Sequence, residues 1–361
     1  MDEVNINKMP VVRDTNLELF RIFLMVVLIM PSHYIMSGGA IRMVDPEHLS
    51  LNMYVAELFS RTGRMGNNCF LLITGYFMCN MKFSWRKFWK LVFLVEFYAV
   101  GIYLLFTMTR YESFSFPTFT NFVLTIPKGV GTRFVGTFIA LYMLVPFLNR
   151  LIATLSAKEF RRLLLLLVFF FSICNTFVAD VFEMLAWYIL VYLTGSYLRI
   201  YPPKILSTRK QVTAFLIVNL LLVFGSIVLL TYLSSIFNDL FRHIQISLEQ
   251  SNHILSLTCS VSLFLWFKNL QIPHIRIVNK LATTILAVLC IHEHSATMHH
   301  FLYRNLFCVK QHFTDEWFPL YMFGCIAVLF LFCAIVELLR ARFVEKPIFA
   351  LLDKKYFNII L

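Results

Sequence analysis

Residues 16–34 read NLELFRIFLMVVLIMPSHY. The run is almost wholly apolar apart from Asn16, Glu18 and Arg21 near one end and His33 near the other. A helix rises 1.5 Å per residue, so about 20 apolar residues cross the roughly 30 Å hydrocarbon layer of a bilayer. The stretch therefore reads as a membrane-spanning helix. Arg21 and His33 lie twelve positions apart, about 18 Å along the axis. Charged and titratable side chains inside a span are costly and mark function by default. A plainer reading competes: Arg21 snorkels to one headgroup layer and His33 sits at the other interface.

The rest of the chain extends this pattern. Of 361 residues 59% are hydrophobic and only 14% are charged, with a mean hydropathy of +0.73. Soluble domains carry about 25% charged residues. The apolar blocks predict an all-α, polytopic membrane protein with ten transmembrane helices. The expected spans are 17–36, 54–78, 89–108, 134–149, 163–180, 183–199, 212–234, 252–267, 281–300 and 320–339, with 118–127 as a partial or re-entrant segment. No small-residue cleavage site follows the first block, so it is expected to be retained. The eight Cys lie mostly within apolar blocks, without CxxC spacing, and read as small core residues. One membrane domain is expected over 1–361.

Basic residues orient this array. Of the 32 Lys and Arg, 22 fall on one set of alternate loops and the termini, nine on the other, and Arg21 within a span. The positive-inside rule places the richer set, and both termini, in the cytoplasm. That requires an even number of spans, which ten satisfies. The net charge of +12 is thereby explained by orientation, and a nucleic-acid partner is not expected without a basic soluble surface.

Four polar groups interrupt the apolar pattern. Arg21 and His33 are the first. The second is Ile291-His292-Glu293-His294, followed by His299 and His300. His292 lies twelve residues from Lys280, which places it at the depth of His33, and two imidazoles with a carboxylate suit proton transfer. A zinc site there is disfavoured, because i and i+2 on a helix point apart. The third is Trp85-Arg86-Lys87-Phe88-Trp89-Lys90, either an interfacial anchor or a phosphate site in which Lys87 and Lys90 share a face. The fourth is Arg61, Arg64, Asn67 and Asn68 at the outer start of the second span. Glu96 and Glu337 also fall inside spans.

Taken together, these blocks resemble the acyltransferase-3 family of bacterial integral membrane O-acyltransferases. The likeness rests on the Arg and His of 16–34, GNNCFLLITGYF (66–77), ALYMLVPFLNRLI (140–152), YLTGSYLRIY (192–201), IHEH (291–294) and VEKPIF (344–349), in that order. It implies transfer of an acyl group, typically acetyl, from cytoplasmic acetyl-CoA or another acyl-CoA to a hydroxyl of a cell-surface or lipid-linked glycan. The setting implied is the bacterial cytoplasmic (inner) membrane, with membrane lipids around the protein and no metal. By motif match His33 and Arg21 are the essential pair, His33 acting as general base. His292 and Glu293 are expected to orient it, or to line the acceptor site with Arg64 and Asn68. Arg86, Lys87 and Lys90 stand where the family has a basic motif for the cofactor, with Arg21 assisting.

One departure matters. The family usually spaces this Arg and His by ten intervening residues, and here eleven intervene. On a regular helix an offset of 11 leaves two side chains about 20° apart, and an offset of 12 about 120°. A kink or π-bulge near Pro31 is expected to restore the shared face. The rival function is a secondary transporter of an anionic or lipid-linked solute, using the same Arg and His.

Overall fold

Helix starts are set by capping residues that the sequence displays. Ser50 and Ser84 each accept a hydrogen bond from the backbone N–H three residues on. Ser156 with Glu159, and Thr208 with Gln211, form reciprocal capping boxes. The computed structural model describes residues 14–45, 50–124, 133–174, 184–237 and 250–352, and helix is the regular secondary structure found among them. The helices, in order, are α1 (Thr15–Gly38), α2 (Leu51–Met78), α3 (Trp85–Met108), α4 (Phe116–Val123), α5 (Arg133–Thr154), α6 (Ala157–Val168), α7 (Met184–Ile200), α8 (Arg209–Ile236), α9 (Ile254–Lys268), α10 (Arg276–His292), α11 (Ala296–Leu306) and α12 (Phe318–Leu352).

Five of these, α1, α3, α5, α8 and α12, are long and apolar enough to cross a membrane, and the pair α10–α11 makes a sixth if counted as one broken span. The ten expected spans thus divide into these and shorter or more polar helices. In α2, Arg61, Arg64, Asn67 and Asn68 dilute the apolar run. α9 has 15 residues, below the usual crossing length, and α7 is described over 17, from Met184, where the described residues resume. The C-terminal parts of the 163–180 and 118–127 segments lie outside the described residues. The segment 281–300 is not one continuous helix: the chain bends by 95° between His292 and Ala296. Glu293 ends α10, and Ser295 restarts the helix by accepting from Met298 N at 3.2 Å. α8 turns Ile217, Val218, Leu221, Leu222 and Leu229 outward, a face suited to lipid.

α1 stands between two cores. Leu17, Phe20, Leu24 and Leu28 pack into a cluster with α2, α5, α6, α7, α8 and α9. Met25, Ile29, Met30, Tyr34 and Ile35 pack into another with α3, α10, α11 and α12. α2 and α7 meet at backbone contact. A Cβ on Gly75 would lie 2.1 Å from the Tyr192 carbonyl oxygen, and one on Gly195 would lie 2.4 Å from that of Leu72. Close approach of this kind uses small residues because lipid gives helices no hydrophobic drive to associate.

Glu337 finds its buried partner on its own helix. Arg340 grips it through Nε and Nη2 at 2.7 and 2.8 Å, and Tyr98 of α3 donates to it at 2.8 Å. Arg340 also donates to Glu345 at 2.6 Å, and Lys90 of α3 reaches Glu345 at 3.1 Å. This charge-balanced group ties the end of α12 to α3.

Candidate active site

The middle of α1 is not α-helical. Leu24–Ile29 is π-helical, and Met30 N donates to the Met25 carbonyl five residues back. Pro31 follows directly and has no N–H to give. Thr62 of α2 donates to the Leu28 carbonyl at 2.8 Å, supplying a partner inside the irregular turn. A π-bulge absorbs one residue of rotation. An offset of twelve then behaves as eleven, which turns His33 back to within about 20° of Arg21. Both side chains accordingly address α10. Arg21 lines a cavity with Ala282 and Thr283, and His33 meets His292 and Glu293.

The hydrogen bonds in that cluster have one consistent direction. His292 is wholly buried, with Nδ1 2.6 Å from the Val288 carbonyl. A carbonyl only accepts, so Nδ1 carries the proton and Nε2 of the neutral ring is an acceptor. His33 Nδ1 stands 3.0 Å from that Nε2 and 3.1 Å from Glu293 Oε2. Facing two acceptors, it is the donor to both. The lone pair of neutral His33 is then on Nε2, the atom a general base needs. Glu293 Oε2 also receives His299 Nε2 at 3.0 Å. His33 and Glu293 are partly open, with side chains 22% and 23% exposed.

A cavity of about 310 Å³ leads toward this cluster from the Arg21 end of α1. Met25, Phe70, Ile73, Phe134, Phe138 and Leu286 make its wall largely apolar, with Thr74 and Thr283 as polar points. It reaches Leu289, one helical turn before His292. Arg21 is held at its rim by Glu18, with both carboxylate oxygens 3.0 Å from Nη1.

The other expected site residues fall elsewhere. Asn68 is a structural junction: its amide donates to the Ser251 carbonyl at 2.7 Å and to Ser256 Oγ at 3.3 Å, and accepts from Trp187 Nε1 at 2.9 Å. Those bonds occupy the amide that was expected to meet an acceptor. Arg64 is exposed on α2. Arg86 and Lys87 are exposed at the start of α3, Lys90 is engaged by Glu345, and α3 contributes no residue to the Arg21 cavity. His294 turns away from His292, as i and i+2 should. Its Nε2 bonds the Ala99 carbonyl at 2.8 Å and its ring stacks on Phe122 at 4.7 Å.

His299 is the residue that sequence reasoning left outside the site. On a continuous helix it would stand about 120° from Glu293, six residues earlier. The 95° bend folds it back. The signal available was Ser295, a helix-starting residue placed inside an apolar run.

His33, His292 and Glu293 each place a ligand atom within 4.8 Å of the others, a spacing at which a metal ion can be held. Their mutual hydrogen bonds satisfy the same atoms without an ion. A family model described as an acyltransferase domain matches residues 14–338 of the chain. No curated protein and no solved structure matches it.

Proposed function

The chain belongs to the acyltransferase-3 family, and from that premise we propose that it moves an acyl group, acetyl by preference, from cytoplasmic acyl-CoA to a hydroxyl of a cell-surface or lipid-linked glycan. It does so within a bacterial cytoplasmic membrane, as a ten-span protein with both termini inside. The observation that carries the reading is the placement of His33. Its Nδ1 is committed to Glu293 and His292, its Nε2 is the basic atom, and an apolar cavity approaches from the Arg21 end.

The chemistry follows from those atoms. The pantetheine arm of the donor enters between Arg21 and Leu289 and brings its thioester toward His33. The acceptor arrives from the opposite, partly open side. A sugar hydroxyl is a far weaker acid than water chemistry at neutral pH can exploit, so it needs a base. His33 Nε2 takes the hydroxyl proton as the oxygen attacks the thioester carbonyl. Glu293 steadies the imidazolium so formed, as the carboxylate of a hydrolase triad does. The C–S bond then breaks, and the departing thiolate takes the proton from His33. The products are an ester and CoA thiol, with no net proton change and no metal required. Arg21 at the rim offers a cation to the donor as it enters.

Purified protein given labelled acetyl-CoA and candidate glycans is expected to release free thiol, and His33→Gln to abolish the release. One observation favours a second reading. The helix broken at 292–296 beside buried polar groups is a feature of secondary transporters. Solute flux across vesicles without thiol release would establish that alternative.

A further inference from the structure

A second cavity, of about 380 Å³, lies beside the first turn of α1. Its wall includes Asp14, Asn16, Tyr76 near the end of α2, Lys268 at the end of α9, and Gln271 and His274 from the segment joining α9 to α10. That size is within the range of small-molecule sites, about 300–1,000 Å³.

The joining segment is braced at both ends. Asn16 Nδ2 donates to the carbonyls of Lys268 and Leu270 at 2.8 and 3.2 Å, and Ile275 N donates to Thr15 Oγ1 at 3.3 Å. The bracing uses backbone groups of the segment and leaves its polar side chains to the cavity. The cations gather on one ring. Lys268 Nζ stands 5.5 Å and the Arg199 guanidinium 4.8 Å from the centre of Tyr76, and Arg199 Nη1 donates to the Tyr76 hydroxyl at 2.8 Å. His274 Nδ1 lies 3.0 Å from Asn279 Nδ2. An amide nitrogen only donates, so Nδ1 accepts and Nε2 carries the proton. Lys268 and His274 thus offer donors to a pocket whose lining holds one carboxylate, Asp14, and Arg199 stands against the Tyr76 ring and hydroxyl.

This cavity shares α1 and α2 with the Arg21 cavity. Leu17 and Arg21 are one turn apart on α1, and Tyr76 and Ile73 one turn apart on α2. The Arg86–Lys90 cluster has neither advantage. Lys90 is neutralised by Glu345 and lies over Phe349 at 5.2 Å, and Trp85 and Trp89 are exposed, as interfacial anchors are.

We propose that the Tyr76–Lys268–His274 cavity seats the phosphorylated adenosine end of the acyl donor, a purine nucleoside bisphosphate. Lys268 and His274 contact the phosphates, and Arg199 supports Lys268 through Tyr76. The pantetheine arm then starts one helical turn from the Arg21 cavity. The proposal rests on the acyl-CoA reading above.

The test uses the full chain in nanodiscs of purely zwitterionic lipid, with adenosine 3′,5′-bisphosphate as the probe in calorimetry. The wild type is expected to bind it. Lys268→Ala and His274→Ala are each expected to weaken binding about tenfold, the worth of one charge-assisted contact. Lys268→Arg restores binding, and in turnover the loss falls on KM for the donor rather than on kcat. Unchanged binding in both Ala variants overturns the proposal. So does a loss confined to Lys87→Ala, which would move the site to α3. A wild type that binds no nucleotide, but takes up anionic lipid in a Lys268-dependent way, makes the pocket a headgroup site and overturns it too. Nucleotide binding that obeys the variants, without thiol release from acyl-CoA, upholds the pocket and sinks the acyl-transfer reading instead.

Discussion

His33 Nδ1 lies 3.1 Å from Glu293 Oε2, across the junction of α1 and α10. Neither residue reaches that position on a regular helix. α1 spends a π-turn to bring His33 round, and α10 ends at His292 so that Glu293 occupies the first non-helical position. The pair joins an imidazole whose remaining nitrogen is basic to a carboxylate that stabilises its charged form.

Replacing that carboxylate isolates its charge from its shape. Glu293→Gln keeps an acceptor oxygen for His33 but removes the stabilisation of the imidazolium. The expected result is a fall in kcat of about 100-fold or more, with KM for the donor little changed. Initial rates of thiol release over a range of acetyl-CoA concentrations separate the two parameters.

His299 hydrogen-bonds Glu293 at 3.0 Å and makes no hydrogen bond to His33. It is therefore a positioning residue. His299→Ala should lower kcat about tenfold, the worth of one hydrogen bond to a charged group. His299→Gln, whose amide also donates, should recover most of the loss. Equal damage from both substitutions would point to a packing role instead.

The Arg21 cavity can be filled without touching the cluster. Thr74 lines it from α2, about two turns from Gly66, which packs against Leu28 and Ile29 of α1. Thr74→Trp is expected to raise KM for the donor or to abolish turnover, while thermal unfolding in detergent stays near that of the wild type. Full activity in this variant would mean that the donor takes another path.

Much of this was legible in the sequence, and what was not has identifiable causes. Arg21, His33, His292 and Glu293 stood out because each ionisable group sits in or beside an apolar run, and membrane burial leaves few reasons to keep one there. The extra residue between Arg21 and His33 pointed to an irregular turn, which is found at Leu24–Ile29, just before Pro31. The bend after His292 carried one faint signal, Ser295, in a stretch, IHEHSATMHH, that otherwise continues the span before it. Asn68 stood out as a polar amide running into an apolar span, and its partners on Ser251, Ser256 and Trp187 lie too far along the chain for spacing to reveal. The partner of Lys90 was hidden in the same way, since Glu345 is 255 residues away.

The contact between α2 and α7 sets a stability test remote from the chemistry. Gly75→Ala places a methyl group 2.1 Å from the Tyr192 carbonyl oxygen. The helices must separate, at a cost of about 1–3 kcal/mol or more. A lower midpoint of thermal unfolding is expected, with the Ser196 hydrogen bond to the Gly75 carbonyl lost as well. Gly101→Ala, where an added Cβ meets nothing within 4 Å, is the control and should leave the midpoint nearly unchanged.

The cluster of His33, His292 and Glu293 has the spacing of a metal site, so metal dependence needs its own measurement. With His33 as a general base held by Glu293, removal of divalent ions by a chelator should leave thiol release unchanged. Loss on chelation, and recovery with one added ion, would reassign the three side chains as ligands.

The most direct test of the account is to follow thiol release and ester formation together in proteoliposomes, for the wild type and for His33→Gln. One ester is expected for each thiol in the wild type. In His33→Gln both should fall in parallel, by about 100-fold or more, with adenosine 3′,5′-bisphosphate binding retained. Thiol release and ester formation that continue at the wild-type rate in His33→Gln would contradict it.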